Sequence, residues 1–376
     1  MMRDPSIERL LLTADTAGGV WTFALDLARS LADGGMDILL ASSGPEPAPH
    51  QTRAAEGLSR VKWVHRTAAL EWMDDPWVDV AATGKWLLDL EAEFHPDLVQ
   101  LDDYSHGSLP WNAPVLIVAH SCVFSWWRAV LGTSPPARYA RYQRRIKNGL
   151  SAAHQVVAPT RAMLDCLEQE HGILPHTEVI PNGRTLPAAD PTPKLPLIFS
   201  AGRLWDQAKN ITLLNEIAGE LLWPTYVAGA TSESGGDSAA FPHLQALGVL
   251  PPGEMAKMFA RASIYAAPAL YEPFGLAILE AALHGCALVL ADIPSLRETW
   301  EGAALFVPPR DQAAWLETLH DLSINGEKRQ LLGESARARA RHFTARRMAE
   351  GYLRVYAQIL GEQRAELNPL VARRAA

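Results

Sequence analysis

Short runs rich in Leu, Val, Ile and Ala alternate along this chain with longer segments whose apolar residues return at helical spacing, the pattern of buried parallel strands interleaved with covering helices. The first run, Arg9 to Thr13, leads through Ala17-Gly18-Gly19-Val20 into a predicted helix from Trp21 to Asp33. Further strands are predicted at Ile38 to Ser42, Val61 to His65, Leu98 to Asp102, Val115 to His120 and Gln155 to Ala158. The alternation restarts at Leu197-Ile198-Phe199-Ser200. It continues through Thr225 to Ala228, His243 to Leu247, Ile264 to Ala267, Ala287 to Ala291 and Ala304 to Val307. Between the two series, Pro181 to Pro196 holds five prolines without periodicity and reads as a semi-rigid connector. Thr231 to Gly236 reads as a mobile loop, and Thr344 to about Glu366 as a helix. Two such series predict an α/β protein of two Rossmann-like domains facing each other across a deep cleft, with ligand at the carboxyl ends of the strands.

The run Tyr271-Glu272-Pro273-Phe274-Gly275-Leu276-Ala277-Ile278-Leu279-Glu280 sets two carboxylates on either side of a turn and a helix start. Pro273 holds Glu272 extended, and Gly275 lets the chain turn sharply. Leu276, Leu279 and Leu283 suit an inward helical face, and Glu280 falls in the first turns, where the macrodipole favours an anion. The free N–H groups of that helix start predict an anionic or polar ligand shared with Glu272.

The 376 residues fit two domains of ordinary size, and 20% charged with 48% hydrophobic residues is a globular profile. A net charge of −8 argues against a general nucleic-acid or anionic-membrane surface. The basic run Arg138, Arg141, Arg144, Arg145 and Lys147 follows Pro135-Pro136 with Tyr139, Tyr142 and Ile146 interleaved. It reads first as a solvated helix face, with a patch for an acidic lipid or acceptor as the alternative. Neither a membrane-spanning stretch nor a signal-peptide core is present, so a cytoplasmic protein is expected. Cys122, Cys166 and Cys286 are too few and scattered for a disulfide framework, and no CxxC or Cys/His cluster suggests zinc.

The glutamate pair with seven residues between its members, joined by Gly202-Arg203 and Lys209-Asn210 upstream and Pro294-Ser295-Leu296-Arg297-Glu298 downstream, resembles the nucleotide-sugar half of glycosyltransferase family 4, the retaining GT-B enzymes. The resemblance runs from Gly18 to the helix around Tyr352, and its specific part is Phe199 to Pro308. It implies a GT-B fold: an acceptor-side domain over residues 1–181, a linker over 182–196, a nucleotide-sugar domain over 197–343, and a final helix, 344–376, that crosses back onto the first domain. It further implies transfer of a hexose from a UDP- or GDP-linked sugar to a hydroxyl acceptor with retention. The nucleoside diphosphate sugar is then a co-substrate, and no cofactor or metal is required. Fold likeness alone does not license a function, so the residues must carry it.

A donor diphosphate needs cations that survive partial burial. Arg203 offers a planar fork and Lys209 a compact charge, both in the loop after the strand Leu197 to Ser200. In the resembling family the matching pair binds and stabilises the departing diphosphate, Glu272 matches the glutamate facing the donor sugar, and Glu280 matches the one on the ribose. Backbone N–H groups of Phe274, Gly275 and Leu276 are expected to bind sugar hydroxyls or phosphate. Gly18 and Gly19 can bring N–H groups near phosphate, although a plain tight turn explains them as well. His120 ends an apolar run at the cleft, and by resemblance contacts the donor sugar. Asp102 and Asp103 read as hydroxyl-binding carboxylates on the acceptor side rather than a metal pair, since nothing beside them completes an oxygen shell. Trp126 and Trp127 fit a sugar-stacking wall or the core equally.

Two departures from the family pattern stand out: Arg184-Thr185 replaces an aliphatic residue and Asp at the linker, and Ala269-Leu270-Tyr271 stands where a serine is common. Two rival functions remain: a nucleotide-sugar epimerase on the same fold, and a catalytically silent homologue that binds a nucleotide sugar.

Overall fold

The computed structural model describes residues 7–186, 192–232 and 239–367; the middle of the connector, most of the loop from Thr231 to Gly236, and the end of the final segment lie outside the described residues. The first half runs β1 (Arg9–Asp15), α1 (Gly19–Asp33), β2 (Asp37–Gly44), α2 (Pro49–Glu56), β3 (Val61–Thr67), α3 (Trp77–Phe94), β4 (Leu98–Leu101), β5 (Val115–Val118), α4 (Val123–Leu131), α5 (Ala140–Ala152), β6 (Gln155–Ala158), α6 (Arg161–His171) and β7 (Thr177–Val179). The second runs β8 (Leu195–Ala201), α7 (Ile211–Ile217), β9 (Thr225–Ala228), β10 (Gln245–Ala246), α8 (Pro252–Arg261), β11 (Ala262–Ala267), α9 (Leu276–Leu283), β12 (Ala287–Ala291), α10 (Pro294–Trp300), β13 (Leu305–Val307), α11 (Gln312–Ile324), α12 (Gly326–Ala340) and α13 (Ala345–Leu367).

Every pairing in both sheets is parallel. The first sheet has the order β3-β2-β1-β4-β5-β6-β7 and the second β10-β9-β8-β11-β12-β13. In each, the chain reverses its direction of travel across the sheet beside the first strand, between β1 and β4 and between β8 and β11. Those two switch points are where doubly wound sheets leave a crevice.

The unbroken apolar run of β1 follows from burial on both faces. Leu10 and Leu12 pack with α1 and α13, while Leu11 points the other way into the cluster of α3, α5 and α6. The second half has one core around Ile198, Phe199, Ile264 and Leu288. Its helix α13 returns to the first half, where Met348, Tyr352, Tyr356 and Ile359 are buried against α1 and β1. The chain crosses between halves at one waist: a Cβ built at Gly183 would lie 2.2 Å from the Thr344 carbonyl oxygen, and the Arg184 N–H donates to the Phe343 carbonyl.

Several expected boundaries shift. The strand expected at His243 to Leu247 contracts to Gln245–Ala246, an exposed pair at a sheet edge, and β7 was not anticipated because Thr177–Val179 is short and half polar. The basic run begins with a 3-10 turn, Ala137–Tyr139, before α5. Arg138, Arg141 and Arg144 are exposed, with Arg141 also lying over the Trp77 ring. Among the described residues no helix is long and apolar enough to cross a membrane.

Candidate active site

Both switch points open onto one cavity of about 650 Å³ between the sheets. The sequence-predicted residues Gly18, Gly19, Asp102, Asp103, His120, Trp126, Arg203, Lys209, Glu272, Phe274, Gly275 and Leu276 all line it. Glu280 does not. It is the fifth residue of α9, within the first turns as expected, and its carboxylate lies 2.9 Å from Arg184.

The turn after β11 is fixed from both halves. The Ser295 hydroxyl donates to the Glu272 carbonyl at 2.6 Å, and the Thr160 hydroxyl, from the first half, donates to the Pro273 carbonyl at 3.0 Å. Gly275 then takes φ 87°, and a Cβ there would come within 2.6 Å of Ile278, so a side chain at this position would be both strained and crowded. With the turn set, α9 starts at Leu276, whose side chain reaches across to the first half: a Cβ built at Gly19 would lie 3.6 Å from Leu276 Cδ1. The N-terminal ends of α1 and α9 therefore meet across the cavity, and both present uncapped N–H groups there.

Asp206, which the sequence reading passed over, organises the cationic side. Its carboxylate accepts from the Ala208 N–H (3.0 Å), from Trp126 Nε1 of the first half (3.0 Å) and from Arg203 (2.9 Å). The 3-10 turn Gln207–Lys209 that it caps ends at Asn210, whose side-chain amide is pinned to the Pro268 and Pro309 carbonyls. Lys209 is thereby aimed at Glu272, with Nζ 2.6 Å from Oε2. Arg203 is the more exposed charge, leaning on Trp72 and Trp205.

On the opposite wall, His120 Nε2 lies 3.0 Å from Asp102 Oδ1, and its ring packs edge-on to Phe23. Burial pushes the Asp102 carboxyl up, against the pull of His120. Asp15, the last residue of β1, accepts the Ala17 N–H, and burial pushes it up to about 6. Asp103 pairs with His106, and Glu71 accepts backbone N–H groups of Tyr104 and Ser105. Trp126 and Trp127 meet edge to face at 6.1 Å and both border the cavity. Glu71, His106 and Asp15 were missed because no motif surrounds them; only the folded loops bring them to the cavity. No group of three or more metal-binding side chains occurs among the described residues.

Arg184 answers the question its unusual identity raised. The guanidinium bridges Asp26 of α1 (2.5 Å) and Glu280 of α9 (2.9 Å), tying the halves together at the waist. Burial pushes both carboxyls up, while Arg184 pulls them down.

Comparison with known proteins matches this architecture in both halves. The profile for Glycosyltransferase Family 4 matches residues 17–186, and that for Glycosyl transferases group 1 matches residues 195–325. The chain belongs to glycosyltransferase family 4. Its fold is GT-B: sucrose-phosphate synthase from Thermosynechococcus elongatus superposes with TM-score 0.80 at 18% identity, over 94% of this chain and all of that one. Anabaena HepE in complex with UDP and glucose superposes with TM-score 0.71 at 15% identity, again over 94% of this chain and all of the other. Among curated sequences, D-inositol 3-phosphate glycosyltransferase of Salinispora tropica is 30% identical over 124 residues, 32% of this chain and 26% of the relative. The same enzyme of Corynebacterium glutamicum is 28% identical over 179 residues, 47% of this chain and 42% of the relative. The matched stretch thus spans less than half the length of either curated relative.

Proposed function

We propose that this family 4 glycosyltransferase moves a hexose from a UDP- or GDP-linked donor to a hydroxyl acceptor, with retention at the anomeric carbon and without a metal ion. The observation that carries the reading is the Lys209–Glu272 pair at the second switch point, directly across from the Gly18-Gly19 turn. The diphosphate would lie between the N-terminal ends of α1 and α9, with Lys209 and Arg203 supplying the countercharge. Donor binding would draw Lys209 toward the phosphate and free Glu272 for the sugar hydroxyls.

In the transfer, the bond between the anomeric carbon and the diphosphate oxygen breaks, and the acceptor oxygen bonds to that carbon on the same face. The acceptor proton passes to the departing phosphate, so no carboxylate need act as nucleophile, in contrast to retaining hydrolases. His120, held by Asp102, would contact the donor sugar beside the reacting centre. Support for a UDP-linked sugar comes from the fold likeness to Anabaena HepE, whose complex holds UDP and glucose.

The test is a thermal-shift and sugar-release screen against UDP- and GDP-linked hexoses, with and without EDTA. Stabilisation by one donor, slow EDTA-insensitive release and loss of release in Lys209→Ala are expected. Inactivation by EDTA would overturn the metal-independent part. Tight donor binding with neither transfer nor hydrolysis would favour a silent homologue, a reading supported by the Arg184 clasp on Glu280.

A further inference from the structure

The two walls of the cavity differ in charge. The first half contributes Asp15, Glu71, Asp102 and Asp103 and, among the described residues, no Lys or Arg; Arg203 and Lys209 both come from the second half. Two of the four carboxylates have a histidine partner. The His106 ring has Nε2 2.9 Å from the Val80 carbonyl and Nδ1 2.8 Å from Asp103, a carboxylate neighbour that favours the protonated ring. Burial lowers its proton affinity, but Asp103 outweighs that and the ring is pushed up to about 9. Asp102 has His120. Glu71 is different. It takes two backbone N–H bonds and has no ion-pair partner among the described residues; burial, and then Asp103, push it up to about 7.

An independent sign of a ligand lies beside this wall. The Thr83 hydroxyl, in a residue 3% exposed, has no hydrogen-bond partner among the described residues, and Thr83 lines the cavity. Buried polar atoms of this kind are normally satisfied. The Trp126–Trp127 pair, its rings edge to face, adds apolar surface to the same cavity.

Resting on the transferase reading, we propose that the acceptor is a polyhydroxylated ring carrying a protonated amino group, an amino sugar or aminocyclitol, whose ammonium is held by Glu71 while its hydroxyls meet Thr83 and Asp102. The same wall disfavours a phosphorylated acceptor, whose charge would face Asp15, Glu71, Asp102 and Asp103 with no first-half Lys or Arg, the His106 ring being engaged by Asp103.

The experiment compares D-glucosamine, D-glucose and D-glucose 6-phosphate as acceptors for the full chain, with the donor found in the screen, and measures binding of each by calorimetry without donor. Glucosamine should exceed glucose at least tenfold in kcat/KM, glucose 6-phosphate should fall below glucose, and Glu71→Gln should bring the glucosamine-to-glucose ratio close to one. The wild-type ratio decides even where that variant fails to fold. Preference for the phosphate ester, a wild-type ratio near one, or an unchanged ratio in Glu71→Gln overturns the assignment. Donor release into water with no discrimination among the three sinks the acceptor assignment alone. Absence of both donor binding and release sinks the transferase reading, and this inference with it.

Discussion

Lys209 and Glu272, sixty-three positions apart in sequence, form a 2.6 Å ion pair that joins the loops after β8 and β11 where the second sheet opens. Each loop is separately pinned, one by Asp206 and Asn210 and the other by Ser295 and Thr160, so the pair meets with little freedom left to lose.

Replacing Lys209 with Ala should therefore act twice. Donor turnover should fall by about a hundredfold or more, as when one preorganised charge is removed from a leaving group. Glu272 would also lose its partner, lowering stability by about 1–3 kcal/mol. Sugar-release kinetics and a urea titration separate the two effects; wild-type turnover would remove Lys209 from the donor site.

At the waist, Arg184→Ala should leave Asp26 and Glu280 facing each other without a cation. Removing one member of a buried charge cluster costs about 3–5 kcal/mol, and Asp26 is only 3% exposed. Pairing Arg184→Ala with Asp26→Asn should recover part of the loss. Chemical denaturation of the two variants gives the comparison, and equal midpoints for wild type and Arg184→Ala would show that the clasp contributes nothing.

The His106–Asp103 pair sets a pH window. The imidazole titrates near 9 in the folded protein, above its ordinary 6.5. Its contribution is therefore full below pH 6.5 and is lost as pH rises through about 9. Thermal stability should decline over that window in the wild type by an amount on the order of 2 kcal/mol, discounted from the full shift. The decline should flatten in His106→Gln; an identical pH profile would refute the pair's role.

Gly149 of α5 carries the loop that presents Asp103 and Tyr104. A Cβ there would lie 1.8 Å from the Tyr104 carbonyl oxygen, a backbone atom that cannot swing aside. Gly149→Ala should destabilise by about 3 kcal/mol, in the range of severe overpacking. A midpoint in urea unchanged from wild type would contradict this.

The sheets were legible because buried parallel strands need continuous apolar runs, and Gln155–Ala158, Thr225–Ala228 and Ala287–Ala291 match their expected bounds. The two-residue β10 at the sheet edge buries too little to write such a run. In the site, loops that follow strands on a local turn were readable, hence Gly202-Arg203 and the Glu272 turn. Asp206, Glu71 and His106 act through partners far along the chain or on neighbouring loops, and no local spacing announces them. Arg184 was visible as an oddity, but its two carboxylates come from α1 and α9, and only the fold brings them together.

Helix α6 begins at Arg161, and its first two amide N–H groups donate not to a neighbour in sequence but to the carboxylate of Glu298, on α10 of the opposite half, at 2.7 and 2.9 Å. One domain thus finishes the secondary structure of the other. Any swing that parts the halves strips those amides of their acceptor and hands them to solvent. Their hydrogen-exchange rates then form a built-in gauge of how often the cleft opens, readable without any ligand.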